Sequence, residues 1–453
     1  MRIHATTAAW GTWHVDQLLG VSLPSLLAPG NLPALAKAHR AQFNLVTTRQ
    51  DQLRIEATPV FQQLRELLDV KVRMLPDGGL DVPIAMQHRI WSAAQQRARR
   101  AGALALFLPP DVIWSDGSLA SLSRRIDEGK RALFNTYLRV ASDSIVSDLD
   151  REFRSDGTRL AVPPRALVAA GFRHLHPLMS CYLVDSNHFP HHPEMIAFGV
   201  RGEGLIVRLL TRELFCFEPA RFALTDQALL REVPDPDELH VFDDSDELCA
   251  LSLTPLFKDH DWYTAQNVID PAEVGLWWLQ YDSPSNRFLW QRPIRYHTGE
   301  VTEEKWAAIE RESEPLFHEF ERVRELLRLH RALRTVGLDA FARVLGEATL
   351  RGELARHWDP REPATLLVPT DRAVAPLAHE LGNASPERLT RFLVAHCKAG
   401  HLDLPAPWRP RTRAPLLREL AEPPRVGGAS LAGYGFVLGE LEVYPIDQPL
   451  ASV

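Results

Sequence analysis

The sequence predicts an α/β protein, a mostly parallel sheet flanked by helices, followed by a smaller α+β module. Three observations predict it. The first 140 residues alternate short apolar runs with amphipathic stretches, the pattern of a parallel sheet covered on both faces. One of those runs, residues 103–108, is wholly apolar and stops at Pro109-Pro110-Asp111, as a buried strand does when it reaches the sheet edge. The last stretch, from about residue 329, carries nearly balanced charge, although the whole chain has a formal charge of −7.

Taken in order, residues 3–9 read as a first strand. A helical stretch follows over 16–27, bent by Pro24, which lacks the N–H that a helix interior needs. A second strand spans 43–48 and ends in Thr47-Thr48-Arg49-Gln50-Asp51. Val60, Leu64, Leu67 and Leu68 give residues 58–68 one apolar side, the spacing of a helix. Residues 70–75 form a third strand and 86–100 the next helix, leading into the strand 103–108. Beyond Asp111, Asp116-Gly117 turns the chain into a helix with Leu119, Leu122 and Ile126 on one face. Ser115 or Ser118 caps that helix and Gly129 ends it. A single strand is expected over 131–140.

Between 141 and 315 the pattern is mixed and rich in loops, with β-like runs at 195–200, 205–210, 239–242 and 248–253. Residues 303–327 read as a long charged helix, bent or split at Pro315, that leads into the last module without a Gly/Ser linker. The expected division is a first domain over 1–315, a helical connector over 316–328 and a last domain over 329–453. The Pro/Arg-rich stretch 405–415 reads as a loop.

Composition narrows the function classes. A chain that is 45% hydrophobic and 24% charged can bury large cores. The net negative charge argues against nonspecific nucleic-acid binding. Cys181, Cys216, Cys249 and Cys397 are widely spaced and spell neither a zinc site nor a disulfide framework; reduced thiols are expected. No run of about 18 apolar residues is present, so no transmembrane segment is expected, and the start of the chain lacks a signal-peptide core. A cytoplasmic protein is the expectation.

The N-terminal pattern resembles a glycosyltransferase of the GT-A type, the nucleotide-diphospho-sugar transferase fold, over roughly residues 1–300. The resemblance rests on Phe107-Leu-Pro-Pro-Asp111-Val-Ile-Trp-Ser-Asp-Gly-Ser-Leu119, a strand, an acid, an apolar pair, a turn and a Leu-rich helix. In that family the fourth strand ends in Asp-x-Asp, which holds a divalent metal on the donor diphosphate. Asp111 matches the second acid; Pro109 replaces the first. The resemblance therefore implies Asp111 as the catalytic and metal-holding residue. Either another acid assists it in binding Mn²⁺ or Mg²⁺, or basic groups neutralise the diphosphate instead of a metal. The same fold seats the nucleoside over the first two strand ends, which assigns Thr6, Thr7 and Trp10, and Thr48 and Asp51, to the nucleotide sugar. The alternative for these residues is loop hydrogen bonding and helix capping.

A second acidic group, Asp243, Asp244, Asp246 and Glu247, follows the β-like run at 239–242. Mutual repulsion there must be relieved by solvent, a cation or basic partners. Asp244 and Asp246 either complete the site, as metal ligands or as a general base, or form a solvated turn. Histidines concentrate in Phe172-Arg-His-Leu-His-Pro177 and Asn187-His-Phe-Pro-His-His-Pro193, without metal-ligand spacing and flanked by prolines; they are expected on loops, either structural or gripping phosphate or acceptor, in preference to a metal site. His297 lies late enough in the chain to return to the site, as such enzymes' terminal histidines do.

The last 120 residues resemble a fasciclin-like domain. The residues that carry this are Ala364-Thr-Leu-Leu-Val-Pro-Thr-Asp-Arg-Ala-Val374, Leu389-Thr-Arg-Phe-Leu-Val-Ala-His-Cys-Lys-Ala-Gly400 and the closing stretch 435–447. His396 is expected as a buried, hydrogen-bonded core residue. The function expected from both resemblances is sugar transfer from a nucleotide diphosphate donor to a glycan acceptor hydroxyl, with a protein partner or the acceptor on the last domain. The alternative is a catalytically inactive transferase-fold scaffold for glycans or proteins.

Overall fold

The computed structural model describes residues 1–75, 83–154, 157–211, 214–222, 235–279, 289–351, 354–404, 425–426, 428–432 and 435–451. The chain divides into two compact units, Met1–Ile269 with Tyr281–Glu312, and Asp270–Gln280 with Ser313–Val453. The stretch expected as a loop over 405–415 lies outside the described residues.

The first unit is built on a seven-stranded sheet. Its strands are β1 (Arg2–Ala8), β2 (Arg40–Thr47), β3 (Asp69–Met74), β4 (Leu104–Phe107), then, after β5 (Val112–Trp114), β6 (Ala132–Phe134). After β7 (Leu138–Ala141), β8 (Met195–Val200) and β9 (Gly204–Leu209) come the last two, β10 (Leu214–Phe217) and β11 (Leu239–Val241). The order across the sheet is β11–β6–β10–β4–β1–β2–β3, and only β10 runs antiparallel to its neighbours. A strand covered on both faces must be apolar at every position, which is why Leu104-Ala-Leu-Phe107 carries no polar residue. Leu104 and Leu106 join one core with Phe43, Phe61 and Trp114. Ala105 and Phe107 join the other with Trp91, Phe217 and Leu251.

Helices α1 (Gly11–Gln17), α2 (Arg49–Glu56), α3 (Pro59–Leu67), α4 (Pro83–Arg100), α5 (Ser118–Asp127), α6 (Ser142–Phe153) and α7 (Pro164–Arg173) belong to this unit. The expected bend at Pro24 has a definite form. After α1 the chain widens into a π-helical turn at Leu18–Ser22 before Pro24 sits in the next short helix. Proline leaves the carbonyl four residues back without its helical donor, and the Arg154 guanidinium donates to that carbonyl, at Gly20.

Two local expectations are corrected. The strand expected over 131–140 is two strands, β6 and β7, which enter different sheets because the chain breaks at Asn135-Thr136-Tyr137. Neither Ser115 nor Ser118 caps α5. Gly117 occupies the cap with φ 97°, and the Asn31 side chain accepts from Leu119 N–H at 3.0 Å. A cap supplied 88 residues away is invisible to local pattern. Gly30 is needed there, since a Cβ on it would lie 2.5 Å from the Gly117 nitrogen.

Two small sheets complete the unit. One pairs β5 and β7 with β12 (Ala250–Thr254); the other pairs β8, β9 and β13 (Ile294–His297). Between β12 and β13 lie α8 (His260–Thr264) and α9 (Pro271–Trp278), the latter part of the second unit.

The stretch expected as a bent or split helix at Pro315 is one continuous helix, α10 (Glu303–Thr335), longer than the sequence suggests. In the second unit it is followed by α11 (Asp339–Leu350), β14 (Ala364–Pro369), α12 (Pro386–Ala395), β15 (Cys397–Ala399), β16 (Phe436–Leu438) and β17 (Leu441–Ile446). The sheet order is β15–β14–β17–β16, with β14 parallel to β17. Phe341, Leu345, Leu366, Phe392 and Val443 form its core. His396 is wholly buried; its Nδ1 donates to the Phe392 carbonyl at 2.7 Å and its Nε2 accepts from Leu450 N–H at 2.9 Å. Both ring nitrogens are thereby used, which fixes a neutral tautomer and makes it the core histidine that the sequence suggests.

Candidate functional site

The sheet order decides where a ligand can sit. From β1 the chain moves to β2 on one side, and it returns from β3 to β4 on the other. Adjacent parallel strands with oppositely directed connections leave a crevice at their carboxyl ends. At the β1/β4 reversal the strand ends are followed by the loop after Ala8 and by Pro109-Pro110-Asp111. Asp111 is held there through its backbone, whose carbonyl accepts from Leu253 N–H at 2.8 Å. Among the described residues no other side chain hydrogen-bonds to its carboxyl group.

The β1 side of the crevice contributes His14. Its ring stacks on Trp10 at 6.1 Å and meets the edge of Trp13 at 4.8 Å. Burial pushes the Asp111 carboxyl above the usual carboxylate range, against the opposing pull of His14, Lys258 and Arg139. Burial likewise lowers His14, while Asp111 raises it and Lys258 lowers it further. Asp111 keeps part of its surface open to solvent but is ringed by protein atoms. An acid of this kind is poised to exchange a proton or bind a cation nearer neutrality than an exposed one.

The residues assigned to the nucleoside end form a stitched loop. Thr48 caps α2, its hydroxyl accepting from Asp51 N–H at 3.1 Å and donating to Asp51 Oδ2 at 2.7 Å. The same Oδ2 accepts from Gly11 N–H at 3.0 Å, joining the loops after β1 and β2. This leaves Asp51 Oδ1 without these bonds. Thr6 and Thr7 are enclosed by the sheet; the Thr7 hydroxyl donates to the Leu108 carbonyl at 2.8 Å.

Asp244 and Asp246 gather around a histidine rather than Asp111. They follow β11, separated from β4 by β6 and β10, roughly 14 Å at ordinary strand spacing. His297 Nδ1 donates to the Gly299 carbonyl at 2.8 Å, which turns Nε2 toward the acids: 3.0 Å from Asp244 Oδ1 and 4.0 Å from Asp246 Oδ2. The ligand atoms of the three residues lie within 4.8 Å of one another. The ring is 3% exposed. A fixed tautomer with one imidazole nitrogen and two carboxylates is a donor set suited to Mn²⁺ or Zn²⁺. Arg165, early in α7, also spans both oxygens of Asp246 at 2.9–3.2 Å, so the acids have a cationic partner already.

Of the neighbouring acids, Glu247 turns away. Burial alone would raise its carboxyl, but hydrogen bonds from His240 and from Arg125 at 2.6 Å override this and hold it at about 2. The first histidine cluster is structural. His174 bridges Ser144 and Asp148, and buried His176 donates to the Pro255 carbonyl at 3.0 Å. From the second cluster, His191 and His192 line a hollow of about 430 Å³ with Phe189, Asp261, Trp262 and Asn267. Trp262 is 56% exposed there.

His14, Lys258, Arg139 and Arg165 escape the sequence reading. His14 follows Trp10 by one helical turn, which is a readable signal. Lys258, Arg139 and Arg165 carry none, because only the fold sets their distance from an acid.

No protein-family model matches the chain, and no curated protein does. Among solved structures it is similar to a provisionally named glucose-1-phosphate thymidylyltransferase from Bacillus anthracis, determined with sucrose, at 13% identity and a TM-score of 0.20. The match covers 32% of this chain and 57% of that one. The chain thus spans little more than half the length of that structure, and the likeness is too slight to bear on activity. Among the described residues, no helix is long and apolar enough to cross a membrane.

Proposed function

We propose that the first unit is a glycosyltransferase, moving a sugar from a nucleotide diphosphate donor to an acceptor hydroxyl, as the GT-A type resemblance of its sequence implies. The observation that carries this reading is Asp111 just beyond the carboxyl end of β4, beside the point between β1 and β4 where the connections reverse, within the fields of His14, Lys258 and Arg139. Transfer breaks the bond from the anomeric carbon to the diphosphate oxygen and forms one from the acceptor oxygen. The acceptor's proton passes to a carboxylate, and the nucleoside diphosphate leaves with two to three negative charges. Lys258 and Arg139 offer positive charge against it. Asp111 orients the donor diphosphate, directly or through Mn²⁺ or Mg²⁺. Thr48 and Asp51, with Thr6 in β1, form the nucleoside end. Asp244, Asp246 and His297 form the cluster fit to hold a divalent ion. The hollow beside Trp262, two residues after helix α8 begins, suits the flat face of a glycan acceptor. The fasciclin-like second unit positions the acceptor or a protein partner.

Asp111→Asn is expected to lower sugar-nucleotide turnover at least about a hundredfold, the usual cost of removing a charged group that acts on the transition state. Unchanged turnover overturns the reading. One observation favours a second reading, a catalytically inactive scaffold: Pro109 leaves a single acid at this edge. A thermal-shift series with UDP-, GDP-, CMP- and dTDP-sugars, with and without Mn²⁺, separates the two. Stabilisation by one nucleotide followed by turnover supports the transferase; no shift with any of them supports the scaffold.

A further inference from the structure

The second unit contains a hollow of about 720 Å³ walled by α9, the last turns of α10, and α11. Its size falls within the range of small-molecule sites. Leu279 and Leu327 are buried in its wall, while Leu276 and Leu350 stand 44% and 51% exposed. A smaller hollow of about 190 Å³ is lined by His330, Arg334, Asp339 and Arg343, all four of which also line the larger one. Arg331 adds a third guanidinium.

The charges of this place do not cancel. Asp339 lies 3.3 Å from Arg334, and Glu347 is drawn to Arg351, outside the hollow, at 3.8 Å. Among the described residues, neither Arg331 nor Arg343 has a side-chain hydrogen bond or an ion pair. His330 packs against Gly346, which a methyl group would bring within 3.1 Å of the ring. Burial and the charges of Arg334 and Arg331 lower its pKa, so it stays a neutral hydrogen-bonding group at pH 7. The three arginines outnumber the two acids of the lining, Asp339 and Glu347, and Arg331 and Arg343 stand uncommitted to either beside an apolar wall. A planar carboxylate is satisfied by one guanidinium; two or more around a small hollow match the several oxygens and near-double charge of a phosphate monoester.

We infer that the paired hollows bind a phosphate monoester bearing an apolar group, the phosphate among Arg331, Arg334 and Arg343 and the apolar part along Leu276, Leu279, Leu327 and Leu350. This site is independent of the sugar-nucleotide crevice in the first unit.

Calorimetric titration of the full chain with octyl phosphate, inorganic phosphate and octanoate, below micelle-forming concentrations, tests it. Octyl phosphate is expected to bind saturably at one site, with inorganic phosphate and octanoate each at least about tenfold weaker. Arg331→Gln and Arg343→Gln, both at exposed positions, should each weaken octyl phosphate roughly tenfold, as loss of a charge-assisted hydrogen bond does. Leu276→Asn should weaken octyl phosphate while leaving inorganic phosphate unchanged. Absence of saturable octyl phosphate binding overturns the inference. So does octanoate or inorganic phosphate binding as tightly as octyl phosphate, or arginine variants that bind like the parent chain.

Discussion

His297 presents Nε2 to Asp244 at 3.0 Å because its other nitrogen is committed to the Gly299 carbonyl. A lone pair facing a carboxylate is unfavourable unless a proton or a cation lies between them. The cluster is therefore a place that a divalent cation fits. Mn²⁺ is expected to raise the melting temperature of the chain. His297→Ala should remove the response, measured by calorimetry with and without EDTA. A Tm indifferent to Mn²⁺ would mean that Arg165 alone neutralises the two acids.

Asp111→Asn should separate stability from activity. Burial raises this carboxyl, so the folded chain holds its proton more tightly than the unfolded chain. Its stabilising share is present at low pH and is lost as pH rises from the ordinary carboxylate value through the raised one. Above that window the ionised group destabilises the fold. The amide variant should accordingly melt higher than the parent at pH 7.5, with the difference shrinking toward pH 4, even as turnover falls. Equal or lower melting at pH 7.5 counts against a desolvated carboxylate.

Glu247 behaves in the opposite sense. Its carboxyl is held at about 2 by His240 and Arg125 despite burial, so its stabilising share is present above pH 4.5 and is lost as pH falls through 2. Glu247→Gln should cost about 2 kcal/mol at pH 7, allowing for partial solvent screening, and much less near pH 2. Urea unfolding at both pH values measures this; an equal loss at each excludes the ion-pair account.

His396→Ala should destabilise the second unit by about 2–4 kcal/mol, since it leaves the Leu450 N–H without its partner and opens a cavity beside Phe341 and Phe392. The parent histidine is lowered by burial. Its stabilising share is complete above pH 6.5 and falls away as acid charges the ring. Chemical denaturation from pH 7.5 to pH 5 should therefore show the parent losing its advantage over the variant.

The parts of the fold written in local pattern were legible. The runs at 43–48 and 103–108 correspond to β2 and β4 within a residue or a few, because central strands covered on both faces are mostly apolar, while 70–75 corresponds to the edge strand β3, whose Val70, Val72 and Met74 alternate with charged residues. What escaped depends on distant partners. β10 is short and separated from both neighbours in the chain, and the cap of α5 is Asn31, drawn from another segment. The acids Asp111, Asp244 and Asp246 stand out by composition. Their sorting into two groups does not, because it follows from the strand order that puts β6 and β10 between β4 and β11.

That strand order also constrains how the chain is made. β10 fills the gap between β4 and β6, yet it is synthesised about 80 residues after β6. Until Phe217 leaves the ribosome, two apolar strand edges wait without hydrogen-bonding partners, and such edges recruit other chains. A nascent chain halted before that point is thus a natural client for a chaperone, and expression fragments should end well beyond it.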